Sequence, residues 1–216
     1  MPTVRFVRHG ESLANAGGVT NEPAGIPLTD LGRAQAQAFA DALDTPPDLF
    51  ITSPFTRARD TAAPSVARYP HVPLEVWPVQ EFTSLAVARY INTNAMQRLP
   101  WVEKHWEAAD PWRCDGEGAE CYADAVARVR AALARLAGLP TSMRVILFCH
   151  GQFMNGVLWE IGEGSPPVTP ETMRGFRAFH IAAPIVNMGG FTARWDGAAW
   201  TIIDKGERHD TLGRDL

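Results

Sequence analysis

Apolar and polar positions fall in blocks along this chain, and the blocks alternate between two lengths. The first, with Val4, Phe6 and Val7, has the reach and bulk of a buried strand and stops abruptly at Arg8-His9-Gly10. A polar turn leads on toward Leu13-Ala14-Asn15, and the glycine- and proline-rich stretch from Gly17 to Pro27 reads as a loop beside that strand end. Thr29 or Asp30 caps a helix through Ala34, Ala38, Phe39, Ala42 and Leu43, closed by Pro46-Pro47. A second strand spans Asp48 to Thr52, a helix starts near Thr56, and Val72 to Trp77 is extended. From Glu81 to Gly118 the pattern loses its period. Helical fragments at Leu85–Tyr90 and Trp101–Trp106, with Trp101, Trp106 and Trp112 interleaved, suggest a lid insertion with its own small aromatic core. Regularity returns at Glu120–Leu136, where Ala125, Val129, Ala132, Leu133 and Leu136 repeat at helical spacing. Arg144–Cys149 is the strongest strand signal and ends in His150-Gly151. Helices over Phe153–Ile161 and Thr169–Phe179 follow, then a hairpin, Gly190–Trp195 and Trp200–Asp204, around Asp196-Gly197. Short strands alternating with helices predict an α/β fold: a mostly parallel open sheet with helices on both faces, in one domain over 1–216.

Composition narrows the function. A net charge of −4 leaves no basic face on average, which argues against nucleic acid as a partner. Lys104 and Lys205 are the only lysines, so the positive charge is almost all arginine. No apolar run approaches the length that crosses a bilayer, and Met1-Pro2-Thr3-Val4-Arg5 lacks the basic start and apolar core of a signal peptide. Cys114, Cys121 and Cys149 form no CxxC pair and are odd in number, the pattern of reduced thiols in a cytoplasmic protein. Cys149, closing a strand, reads as a small hydrophobe.

The candidate chemistry sits at strand ends. In a parallel sheet the carboxyl ends line one edge, where ligands of open α/β sheets bind. That edge would gather Arg8-His9-Gly10, Ser53-Pro54-Phe55-Thr56-Arg57 and His150-Gly151. Arg8 and Arg57 are fixed forks of positive donors, and a neutral imidazole can act as a nucleophile. Gly10 has no Cβ and would let a ligand approach the backbone. Backbone N–H groups at a strand–turn–helix junction suit an anion. Two arginines and two histidines in one crevice repel one another unless an anion binds, and this points to phosphate.

The same residues resemble the histidine phosphatase superfamily, whose fold is shared with cofactor-dependent phosphoglycerate mutases. Arg8-His9-Gly10-Glu11-Ser12 with Asn15, Leu28-Thr29-Asp30-Leu31-Gly32, Ser53-Pro54 with Arg57 and Thr61-Ala62, Glu81, Gly118-Ala119-Glu120 and His150-Gly151 carry the resemblance, in order over most of the chain. It implies a three-layer phosphoglycerate mutase-like architecture and a phosphohistidine on His9. Arg8, Arg57, His150 and Gly151 would form the phosphoryl pocket, His150 as a cationic donor, and Asn15 would be a neutral donor to the same group. Glu81 is the implied acid–base residue, with Glu11 a weaker rival in the nucleophile turn. Asn187 falls where the family has a loop near the pocket and would orient its neighbours.

The remaining histidines suggest no metal site. His71, His105 and His209 read as surface residues and His180 lies near the pocket mouth, with no HExxH-like spacing. No metal or organic cofactor is expected. The chain departs from the mutase pattern at Ala14, Asp60 and Gln152 and lacks the tyrosine-rich stretch after Glu81. A phosphomonoester hydrolase acting on a small phosphorylated metabolite is therefore expected. A mutase is the first alternative and a non-catalytic phospho-ligand binder the second, and the oligomeric state stays open.

Overall fold

Strand β1 (Thr3–Arg8) lies inside the sheet because its apolar side chains have a core to fill on either face: Val4 and Phe6 point one way, Val7 the other. The computed structural model describes residues 1–206. Its six-stranded sheet has the order β3-β2-β4-β1-β5-β6. Strands β2 (Leu49–Thr52), β3 (Leu74–Val76), β4 (Arg144–Cys149) and β1 run parallel, while β5 (Gly190–Trp195) and β6 (Trp200–Asp204) form an antiparallel hairpin at one edge.

Two cores cover the two faces, which makes the three-layer architecture explicit. On one face Phe6, Ile51, Val145 and Leu147 pack under α4 (Tyr122–Ala137) and α5 (Gly151–Glu163) through Val129, Leu133, Leu136, Met154 and Val157. On the other, Val7, Phe50, Ile146 and Phe148 meet α1 (Asp30–Asp41) and α2 (Thr56–Arg68) through Phe39, Ala62 and Val66. Neighbouring residues of β2 and β4 thus face opposite cores, so these strands read as unbroken apolar runs.

The register places the candidate site. Pairing of β1 with β4 runs from Thr3 opposite Arg144 to Arg8 opposite Cys149, so His9 and His150 leave the sheet side by side. In the β2–β4 pair Thr52 is opposite Phe148, which brings Ser53 to the same edge. The antiparallel pair sets Val7 opposite Gly190, so the segment entering β5, with Asn187, also arrives there.

Several expected elements change length. The turn after β1 opens no helix, and the chain wanders through turns until Thr29, whose side chain accepts from the N–H of Gly32 and starts α1. Leu85–Tyr90 keeps only one 3-10 turn, Val87–Arg89. Trp101–Trp106 is the middle of a longer helix, α3 (Ala95–Ala108), which begins at a reciprocal cap between Asn94 and Gln97 and runs through Pro100. The aromatic residues of the insertion do not form a core of their own. Trp106 packs with Phe82, Tyr122 and Val126, and with Met173 and Phe176 from α6 (Pro170–Ala182), so the insertion is clamped onto the body by shared burial. Trp112 is 69% exposed, and Trp101 lies under the Arg89 guanidinium. Among the described residues, no helix is long and apolar enough to cross a membrane.

Leu136 is fully buried under the sheet. Leu136→Ala should lower unfolding free energy by about 2–5 kcal/mol, read by chemical denaturation, because the helix can only partly collapse into the gap. A loss under about 1 kcal/mol would mean that α4 is not seated as described.

Candidate active site

His9 follows the last residue of β1 and is almost fully buried. Its Nδ1 lies 2.7 Å from the carbonyl oxygen of Gly10, an acceptor only, so Nδ1 carries the proton. Its Nε2 accepts from Nε of Arg57 at 3.1 Å, which needs a lone pair on Nε2. Both contacts select one neutral tautomer. The protonated form is disfavoured as well, since burial, then Arg57, then Arg8 push the His9 pKa well below its ordinary value.

The turn holding His9 is fixed from several sides. The N–H of Gly10 donates to Oγ1 of Thr61, and Nδ2 of Asn187 donates to the His9 carbonyl. Gly10 lacks room for a side chain because a Cβ would stand 2.6 Å from the carbonyl oxygen of Gly32. The close neighbour is therefore α1 backbone and not the ligand expected from the sequence. Glu11 turns away from the cavity, its carboxylate accepting from Oγ1 of Thr29.

Arg57, in the first turn of α2, is buried over Phe55 and donates through Nη1 to the carbonyl of Pro23 in the 17–27 loop. Burial pushes its pKa down to about 10, a measure of how poorly this site holds positive charge. Arg8 donates to the carbonyl of Ile185 and lines the same cavity. Oδ1 of Asn15 receives Oγ of Ser12 at 2.8 Å and Nδ2 of Asn187 at 3.2 Å, which leaves its amide nitrogen as the group available to the cavity it lines.

His150 is fully buried, with its ring centroid 5.1 Å from that of His9. Its Nε2 shares a hydrogen bond with Oγ of Ser53 at 2.8 Å. The cationic form expected from the sequence is disfavoured here: burial first, then Arg57, His9 and Arg8, hold its pKa well below the ordinary value. It stands behind the cavity with Gly151, neither contributing to the lining. Glu81 does line it. Its Oε1 accepts from the backbone N–H of Gln152 at 3.0 Å and of Phe153 at 3.2 Å, at the N-terminus of α5. The helix-terminal amides of this junction are thus taken by a side chain of the protein, while the turn after β1, where the sequence placed amides for an anion, opens no helix.

The cavity has a volume of about 220 Å³. Pro23 and Ile26 reach it from the 17–27 loop, and Thr83, Tyr90 and Arg98 from the 81–118 insertion. The last three escaped sequence reasoning, since they fall where the pattern loses its period. The cap at Asn94 was the available signal that a helix carrying Arg98 starts there.

The family model for the histidine phosphatase superfamily (branch 1) matches residues 4–181. The chain belongs to that superfamily. This histidine phosphatase is 28% identical, over 77% of its length and 80% of the relative's, to the "Uncharacterized phosphatase PhoE" of Bacillus subtilis (strain 168). Its fold is shared with the alpha-ribazole phosphatase from Shigella flexneri (TM-score 0.72, 20% identity, 98% of this chain and all of that one). A mycobacterial glucosyl-3-phosphoglycerate phosphatase solved with VO3 is similar too (TM-score 0.71, 23% identity, 94% and 98% covered).

The other histidines of this phosphatase need separate accounts. His71 is exposed, as expected, while His209 lies outside the described residues. His105 is not a surface residue: its ring packs against Phe82 and Trp106, and burial lowers its pKa. His180 does not line the cavity. It stacks on Phe176 and accepts at Nδ1 from the amide of Asn155, and burial brings its pKa to about 4. Among the described residues, the cluster with metal-ligand spacing is Cys114, Cys121 and Asp124, apart from the cavity lining.

His9, His150 and His180 all bind protons less readily folded than unfolded. The unfolded chain takes up those protons as pH falls below about 6.5, so stability is retained above that value and declines through the window down to the folded pKa values. Unfolding free energy should drop by more than about 2 kcal/mol between pH 7 and pH 4.5, with a shallower decline in His180→Gln. Equal slopes in the two proteins, measured by urea titration, would refute the assignment of His180.

Proposed function

We propose that this enzyme hydrolyses phosphomonoesters of a small metabolite through a phosphohistidine on His9. The observation that carries this reading is the tautomer: a proton held on Nδ1 by the Gly10 carbonyl and a lone pair on Nε2 facing Arg57. In the first half-reaction Nε2 forms a bond to phosphorus as the ester P–O bond breaks, and the leaving oxygen takes a proton from Glu81. In the second, Glu81 takes a proton from water, whose oxygen bonds to phosphorus as the N–P bond breaks, and inorganic phosphate leaves. Charge on the moving phosphoryl oxygens is met by Arg8, Arg57 and the Asn15 amide.

Arg57 changes partner during this cycle. Before substrate binds, its Nε–H engages the lone pair that must attack. An arriving phosphoryl group offers that donor a stronger, charged acceptor, and the nucleophile is released by the substrate itself. The same anion offsets the desolvation that keeps His150 neutral and favours its proton, with Nε2 then donating to Oγ of Ser53. A cavity of about 220 Å³, below the roughly 300–1,000 Å³ of drug-sized sites, supports a small metabolite. The free thiols of Cys114, Cys121 and Cys149 support a cytoplasmic location.

Purified enzyme should release inorganic phosphate from members of a phosphorylated-metabolite panel. His9→Ala should abolish release, and Glu81→Gln should slow turnover by about 10²–10⁴-fold. Undiminished release by His9→Ala removes the phosphohistidine. Isomer interconversion of a phosphoglycerate without phosphate release would make the protein a mutase, and binding without turnover across the panel would make it a phospho-ligand binder.

A further inference from the structure

The arginines packed into the body of this protein, two of them buried and the others partly so, divide by what they face. Arg128 pairs with Glu120, Arg130 with Glu160 and Arg177 with Glu103. Arg57 and Arg98 are each only 6% exposed, and neither has a carboxylate within ion-pair distance among the described residues. Both line the same cavity. Arg57 is accounted for by the phosphoryl group. Arg98 comes from the insertion and is left without an anion in a site that already holds too much positive charge.

The contacts of Arg98 are one-sided. Its Nη1 donates to Oγ1 of Thr20 at 3.0 Å, to the Thr93 carbonyl at 2.7 Å and to Oγ1 of Thr93 at 3.0 Å. All three acceptors are neutral. The guanidinium carbon lies over the Tyr90 ring, 4.5 Å from its centroid. Nε and Nη2 donate to no atom of the described protein. These two nitrogens form the side-on edge of the fork, the edge that receives a carboxylate through two parallel hydrogen bonds. Tyr90 and Arg98 line the same cavity as Arg57, His9 and Glu81, so the fork stands in the wall of the phosphoryl pocket.

Resting on the phosphatase chemistry proposed above, we infer that the substrate carries a carboxylate besides its phosphate, and that Arg98 binds it. Burying a guanidinium without a counter-ion is costly in an apolar site. Arg98 tolerates that cost because Nη1 also fastens the 17–27 loop to the insertion, where Thr20 and Thr93 already form a backbone bridge. The carboxylate is then read by a group that holds both walls of the cavity together. An ester lacking it leaves the open edge of Arg98 desolvated and unmatched.

The test uses matched pairs of phosphorylated hydroxy acids and alcohols: phosphoglycolate with ethylene glycol phosphate, 3-phosphoglycerate with glycerol 3-phosphate, 4-phosphoerythronate with erythritol 4-phosphate. In at least one pair kcat/KM for the acid should exceed that for the alcohol by about 10- to 100-fold, the worth of a charged, two-point contact. Arg98→Gln should collapse that ratio through the KM of the acid, while Arg98→Lys keeps part of it. Thr20→Val removes a contact of Nη1 but leaves the open edge intact, so it should preserve the ratio even if it lowers Tm. Phosphate release with no preference for acids in any pair overturns the carboxylate and leaves the phosphatase standing. Equal loss on acid and alcohol in Arg98→Gln and Thr20→Val reduces Arg98 to a fastener. Release from no phosphomonoester at all ends both readings.

Discussion

The imidazole of His9, held between the Gly10 carbonyl and the Arg57 guanidinium, is the contact on which the rest of the site depends. An ordinary histidine near neutral pH divides itself between two tautomers and a cation. Here only one form satisfies both neighbours, and burial among arginines removes the cation. The proposed nucleophile is prepared by backbone geometry and by charge together. Its cost is a cluster of buried positive groups with one acid, Glu81, in the cavity lining, and this leaves the site electrostatically unbalanced.

That imbalance organises the surroundings. Glu81, the acid lining the cavity, is held by the first amides of α5, so it is positioned and cannot collapse onto an arginine. Arg57 is turned by the Pro23 carbonyl and the Phe55 ring, and Arg98 by threonine oxygens and Tyr90, all neutral groups. Acids that would neutralise the site are spent elsewhere: Glu11 on Thr29, Glu120 on Arg128, Glu160 on Arg130. In the proposed mechanism the anionic partner is left to the ligand, and its phosphoryl group frees His9 to attack it.

The support is ordinary packing used for accurate placement. Parallel pairing aligns Arg8 with Cys149, and from that register His9 and His150 emerge as neighbours although far apart in the chain. The aromatic contacts of Trp106 with Tyr122 and Phe176 bind the insertion to α4 and α6, and so bring Tyr90 and Arg98 to the cavity wall. Here the chemistry of the site and the stability of the fold draw on the same contacts.

Strand and helix order, the two-faced sheet and the convergence of Arg8, His9, Arg57 and His150 were legible from the amino-acid order alone, while Glu81 came from the family resemblance. Period, caps and strand ends are local properties, and a parallel sheet turns strand ends into one edge whatever the loops do. The protonation of His150, the occupation of the α5 N-terminus by Glu81, the backbone against Gly10 and the membership of Arg98 were decided only by the folded chain. Each depends on what lies nearby across dozens of residues, and on how much water that neighbourhood excludes. Neither quantity has a period that a sequence can display.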